Sequence, residues 1–235
     1  MSHRRLVHAA ATTALITALT SSCGLGDPGP QTSQSRAISD VTVVELATGG
    51  DLSIHPGSTP SLTITAGEDV VDLLTTQVRD GRLTLDLADH VGRLGPVHYE
   101  LDLPTVDAVV VTGSGHAQVD ELATDNIHLT VQGSGEINLR DAAVDALAVD
   151  IEGSGRVTAT GTAAAQEVRL DGSGTYEAGD LPSRRATVSV EGSGAADVHA
   201  TERLDAEVSG SGSIRYTGTA QVHRTVDGSG EITGA

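Results

Sequence analysis

The 235 residues carry 32 Asp and Glu against 14 basic side chains, every one of them Arg, for a formal charge of −18. A surface of that sign repels nucleic acid and anionic headgroups, which excludes nucleic acid as a partner. Aromatic residues make up 1% of the chain (Tyr99, Tyr176 and Tyr216, with no Trp or Phe), which argues against a thick globular core and against sugar-stacking platforms.

Residues 1–5 are short and basic, residues 6–19 run from apolar to small, and Thr20-Ser21-Ser22-Cys23-Gly24 comes next. This is the pattern of a secretory signal over residues 1–22, too short for a stable transmembrane span. Cys23 is the only cysteine, so no disulfide forms within one chain. Its place after small residues resembles a bacterial lipoprotein lipobox, which implies lipidation at Cys23 and attachment to a membrane through that N-terminal lipid. Thr20 stands where the motif has Leu, with Leu19 one place earlier. Ordinary cleavage nearby, leaving Cys23 a spare thiol, is the alternative. Residues 24–39 are rich in Gly, Pro, Ser and Gln, so 23–39 reads as a lipidated N-terminus followed by a disordered tether.

Over 40–104 the hydrophobic alternation has period two, with short strands expected at 41–46, 51–55, 61–66, 76–79, 82–87 and 97–102. Gly49-Gly50, Pro56-Gly57 and Asp80-Gly81 are turn signals, the last fitting a two-residue hairpin. Residues 68–74 suit one or two helical turns, and 88–96 a surface loop. This irregular β-region is expected to cap the more regular residues 105–235, or to supply early coils with degenerate bends, in one domain with them.

From residue 105 to 235 one tripeptide keeps returning. It stands at Gly113-Ser114-Gly115, Gly133-Ser134-Gly135, Gly153-Ser154-Gly155, Gly172-Ser173-Gly174, Gly192-Ser193-Gly194, Gly210-Ser211-Gly212 and Gly228-Ser229-Gly230, at periods of 20, 20, 19, 20, 18 and 18. Apolar residues stand two and four places before and after it, as Val149, Ile151, Val157 and Ala159 do around Gly153. The residues between are mostly polar. Each repeat is therefore strand, Gly-Ser-Gly corner, strand and second bend, and the repeats stack as an all-β parallel solenoid of ~20-residue coils. Glycine supplies the φ > 0 that a sharp corner asks for, and small residues suit corners stacked one strand spacing apart. The serines read as structural too, with hydroxyls free to bond one another or nearby carbonyls: no strand-to-helix elbow surrounds them. Near the far end Arg224 falls in an inward register, so an open last coil and end-to-end homo-oligomerisation are expected there.

Three segments carry a family resemblance. They are Val44-Glu45-Leu46-Ala47-Thr48-Gly49-Gly50-Asp51-Leu52-Ser53-Ile54, then Asp102-Leu103-Pro104, then the Gly-Ser-Gly repeats closing with Val226-Asp227-Gly228-Ser229-Gly230-Glu231-Ile232. Residues 41–235 resemble the putative autotransporter adhesin, head GIN domain family of the bacterial envelope. The resemblance implies a parallel β-solenoid and an adhesin-like role, and it carries over no catalytic residues.

The outward column just before the corners holds Glu152, Asp171 and Glu191 in three successive coils. Their carboxylates are weak candidates for a divalent-cation site, Ca²⁺ being the natural ion, against a plain solvated acidic face. A polysaccharide-acting enzyme is the other alternative, since parallel β-helices can pair carboxylates as acid and base. Lysine is absent, sugar-stacking aromatics are scarce, and the histidines look scattered. The reading that joins leader, tether and repeats is a membrane-anchored, non-catalytic envelope module with a protein or glycan partner and no required cofactor.

Overall fold

The structure, a computed structural model, describes residues 29–88 and 95–235. The expected signal segment, Cys23 and most of the expected 88–96 loop lie outside the described residues. The strands are β1 (Gln31–Arg36), β2 (Val43–Leu46), β3 (Asp51–Pro56), β4 (Ser61–Gly67), β5 (Leu74–Arg79), β6 (Arg82–Leu87), β7 (His98–Leu103), β8 (Ala108–Gly113) and β9 (His116–Asp120). They continue as β10 (Ala123–Gly133), β11 (Glu136–Gly153), β12 (Arg156–Gly172), β13 (Thr175–Gly192), β14 (Ala195–Gly210), β15 (Ser213–Thr217), β16 (Gln221–Gly228) and β17 (Glu231–Gly234). One helical turn, α1 (Glu68–Val71), buries Val70 and Val71 and carries Glu68 and Asp69 in its first turn, the favourable end of its dipole.

All strands join one sheet that winds into a β-solenoid of about six turns. The residues two and four before each corner (Val109, Val111, Leu129, Val131, Val149, Ile151) point inward and are buried. So are those two and four after it (Ala117, Val119, Ile137, Leu139, Val157, Ala159). Each buried Val, Leu or Ile contributes about 1.5–3 kcal/mol, and period-two alternation sends its polar neighbours to solvent. The second bend closes with a left-handed residue at Glu121 (φ 52°), Asp141 (φ 51°) and Gly161 (φ 119°). Ladder registers slip there, for example between Leu139 and Ala142.

The region before residue 105 both winds and caps. β2 and β3, with Gly49-Gly50 at their corner, form a coil that pairs in parallel with β8 and β9 on one side and with β6 and β7 on the other. The stacking order is therefore not the chain order. Antiparallel strands then finish the edges: β5 on β6, through a hairpin with Asp80 (φ 49°) and Gly81 (φ 78°), β4 on β7, and β1 on β4.

The expected disordered tether needs correction, because residues 31–36 of it are strand β1. Its polar sequence buries little, so hydrophobic patterning gave no signal. It is held by backbone pairing to β4, by a Ser33–Thr65 hydroxyl bond of 2.8 Å, and by Gln34 donating to Asp72 at 2.8 Å. Arg36 donates to the carbonyls of Val71 (2.9 Å) and Leu74 and to the Thr76 hydroxyl.

At the other end, β16 and β17 have no strand on their outer sides among the described residues. Val226 is 44% exposed, although the residue beneath it, Val208, is fully buried. Arg224 pairs with buried Ala206 and donates to the Ile232 carbonyl at 3.5 Å, so its side chain lies across the end of the core.

Candidate interaction surface

The corners stack in register, Gly113 on Gly133, Gly153, Gly172, Gly192, Gly210 and Gly228. The two glycines of a tripeptide serve different needs. The first has φ between 112° and 124°, a conformation that L side chains rarely adopt. The third (Gly115, Gly135, Gly155, Gly174, Gly194, Gly212) is buried with no left-handed φ. A Cβ on Gly155 would run into Val131 Cγ1 and the Gly135 carbonyl, because the neighbouring coil's core side chain already fills that space. The corners bond through backbone: Ser154 N–H donates to Gly133 O at 2.8 Å and Arg156 N–H to Gly135 O at 3.0 Å, a pattern each coil repeats. Among the described residues, no hydrogen bond joins one corner serine hydroxyl to another.

Outward residues form columns that run across coils. Glu152, Asp171 and Glu191 are register neighbours, all exposed, and line a shallow hollow of about 240 Å³ with Asp150 and Arg169. Gln132 donates to Glu152 at 3.3 Å, and Asp150 sits between His128 (2.5 Å) and Arg169 (4.0 Å). As the side chains stand, no three His, Cys, Asp or Glu among the described residues surround a common point.

The histidines are less scattered than their sequence positions suggest. His98 faces Asp51, His116 faces Glu136, His55 faces Asp120 and His128 faces Asp150, each across a coil boundary. No spacing along one strand reveals these pairs, since their members lie 47, 20, 65 and 22 residues apart.

A second, longer hollow of about 380 Å³ opens between the corner face and the second bend. Ala146, Ala148 and Ala165 form its floor, and Arg185 and Arg203 stand on adjacent rungs at one side. Arg203 grips Asp205 with Nε–Oδ2 and Nη2–Oδ1 bonds of 2.6 and 2.8 Å, which hold the carboxyl of Asp205 below its ordinary value. Arg184 pairs with Glu202 at 2.9 Å. Beneath this hollow Gln166 is buried and bonded to Tyr176 and to the Leu181 carbonyl. Burial pushes the pKa of the Tyr176 hydroxyl up, and also that of Tyr99, for which the nearby Thr48 hydroxyl offsets part of the rise. The Tyr99 hydroxyl has no partner in normal hydrogen-bond geometry among the described residues.

No helix among the described residues is long and apolar enough to cross a membrane. No curated protein matches the chain. Among solved structures, it is similar to a putative adhesin from Bacteroides fragilis NCTC 9343, with 25% identity and a TM-score of 0.81 over 88% of this chain and 97% of that one. A structure from Parabacteroides distasonis ATCC 8503, described as a putative lipid binding protein, shares the fold at 24% identity and a TM-score of 0.75, covering 88% and 97%. A putative adhesin from the same organism does so at 23% and 0.70, covering 88% and 98%. Residues 40–220 match the family described as "Putative auto-transporter adhesin, head GIN domain". With more than half of its length matched and its solenoid shared with an adhesin-like structure, the chain belongs to the head GIN domain family.

Proposed function

We propose that the chain is an exported, non-catalytic interaction module, held to a membrane through a lipid on Cys23 and presenting its solenoid faces to a protein or glycan surface. Family membership supports an adhesin-like role at the cell envelope. The observation that carries the reading is the in-register stacking of outward polar columns, which sets the carboxylates of Glu152, Asp171 and Glu191 on three successive rungs, roughly 4.8 Å apart. An array of that kind meets an extended partner at many weak points at once, and affinity then grows by multivalency.

The polysaccharide-acting alternative draws on the hollow that Asp150, Glu152, Asp171 and Glu191 line with Arg169, since carboxylates in one depression are the raw material of acid–base chemistry. One experiment separates the two. Cells displaying the full chain are compared with cells displaying Glu152→Gln/Asp171→Asn/Glu191→Gln for adherence to protein- and glycan-coated surfaces and for release of reducing ends from polysaccharide. The proposal expects weaker adherence at an unchanged melting temperature and no release by either chain. Release by the parent alone favours the enzyme, and equal adherence removes this column from the binding face. Calorimetry with Ca²⁺ on the same pair tests cation binding there. The anchor is tested by Cys23→Ser, which should move the chain from the detergent phase to the aqueous phase.

A further inference from the structure

The strongest unassigned grouping is the outward column beside the first corners, where the sheet sets His98, Asp51, His116 and Glu136 on four successive rungs. Asp51 pairs in register with His98 of β7 on one side and with His116 of β9 on the other. Glu136 of β11 comes after His116. We propose that this column binds one divalent transition-metal ion of the zinc class, with Asp51 at the centre, His98 and His116 from either side, and Glu136 holding the His116 ring.

The ligand types are the first reason. Imidazole with carboxylate suits zinc, copper and nickel, whereas calcium and magnesium take oxygen alone. The separation is the second. His98 Nδ1 lies 3.3 Å from Asp51 Oδ2. A charge-assisted bond between such groups closes to about 2.7–2.9 Å. Two ligands on one tetrahedral ion with ~2.05 Å bonds stand ~3.3 Å apart.

Reach and charge agree with this. His98 and His116 are roughly two rungs, or about 10 Å, apart, a gap that two imidazoles leaning over Asp51 span through one ion. As the side chains stand, no three of these groups meet at one point. Closure therefore takes rotation of the two rings, which side-chain exposures of 52% and 34% permit. Around the column, Thr65 is the next residue beyond His98, Asn138 Nδ2 lies 3.4 Å from His116 Nε2, and Arg156, on the rung after Glu136, turns to Glu177 at 3.5 Å. The two carboxylates carry a charge that a divalent ion neutralises. The ion would tie β7, β3 and β9 together, three strands that come from distant parts of the chain.

The test is calorimetric titration of ZnCl₂ into the full chain carrying Cys23→Ser, which removes the thiol as a competing ligand. The expected result is one ion per chain and a rise in melting temperature with zinc. Affinity should fall at least tenfold between pH 7.5 and 5.5, because both imidazoles must be neutral to bind. Asp51→Asn and His116→Gln should each weaken binding at least tenfold, while His199→Gln, remote from the column, leaves it unchanged. Circular dichroism establishes that the variants fold. Absence of zinc binding at 1 mM overturns the proposal, as does binding that survives both Asp51→Asn and His116→Gln.

Discussion

The Tyr176 hydroxyl donates to Gln166 Oε1 at 2.8 Å, and Gln166 Nε2 donates to the Leu181 carbonyl at 3.0 Å, inside a core built mostly from aliphatic side chains. The chain of bonds fastens the bulged part of β13, where the register slips between Ala178 and Pro182, to the coil before it. Burial keeps Tyr176 protonated across the working pH range, so it remains a donor. Tyr176→Phe should cost about 1–3 kcal/mol, because it strands a buried amide oxygen. Urea denaturation of the two chains measures it, and coincident midpoints would contradict the role given to the hydroxyl.

The corner glycines can be separated by substitution. Gly113 has φ +124° with nothing within 4 Å of an added Cβ, so Gly113→Ala reports backbone strain alone, about 1–3 kcal/mol. Gly153→Ala adds a Cβ 2.7 Å from the Gly133 carbonyl and should cost more. Gly179→Ala meets only the Asp197 carboxylate, at 3.5 Å or more, and should change stability by about 0.5 kcal/mol or less. Melting temperatures should fall in the order Gly179→Ala, Gly113→Ala, Gly153→Ala, from smallest loss to largest. Three equal losses would refute the division between strain and collision.

Arg36 is what ties the polar strand β1 to the cap. Arg36→Ala removes its bonds to the Val71 and Leu74 carbonyls, and bonds from a charged donor are worth about 1.5–3 kcal/mol. Amide exchange at residues 31–36 should speed up at least tenfold while exchange in β11 and β12 stays as it was. Uniform acceleration throughout the chain would mean that β1 opens only with the whole domain.

Arg224 lies across the end of the solenoid formed by β16 and β17, beyond which no further described strand lies. An inward charge on an edge strand discourages pairing with another chain, because association would desolvate the guanidinium. Arg224→Val should therefore favour end-to-end association, seen in sedimentation velocity as a concentration-dependent rise absent from the parent. If the parent already associates and Arg224→Val leaves this unchanged, the contact lies elsewhere.

Much of the fold was legible because two simple periods coincide, alternation along each strand and a return every ~20 residues. The inward registers of Val149, Ile151 and Val157 follow from these alone. Three features were not legible. Strand β1 has no apolar face, so only its pairing with β4 and the bonds of its own Arg36 reveal it. The need for Gly155 comes from Val131, a side chain one coil away, whereas local reasoning sees only the conformational freedom of glycine. The pairing of Asp51 with both His98 and His116 depends on which coils stack together, and that is decided by long-range closure of β2 and β3 between β6–β7 and β8–β9.

That interleaving shapes how the molecule comes apart and how it is made. A spring wound in chain order can fray one loop at a time from either end, each loop leaving its neighbours intact. Here the first coil made is clamped between two later ones, so it gains its second neighbour only once residue 120 is in place. Fraying from the N-terminal side must release strands 39 to 65 residues apart together, which concentrates cooperativity in that half and leaves the Gly-Ser-Gly half to lengthen or shorten by whole coils.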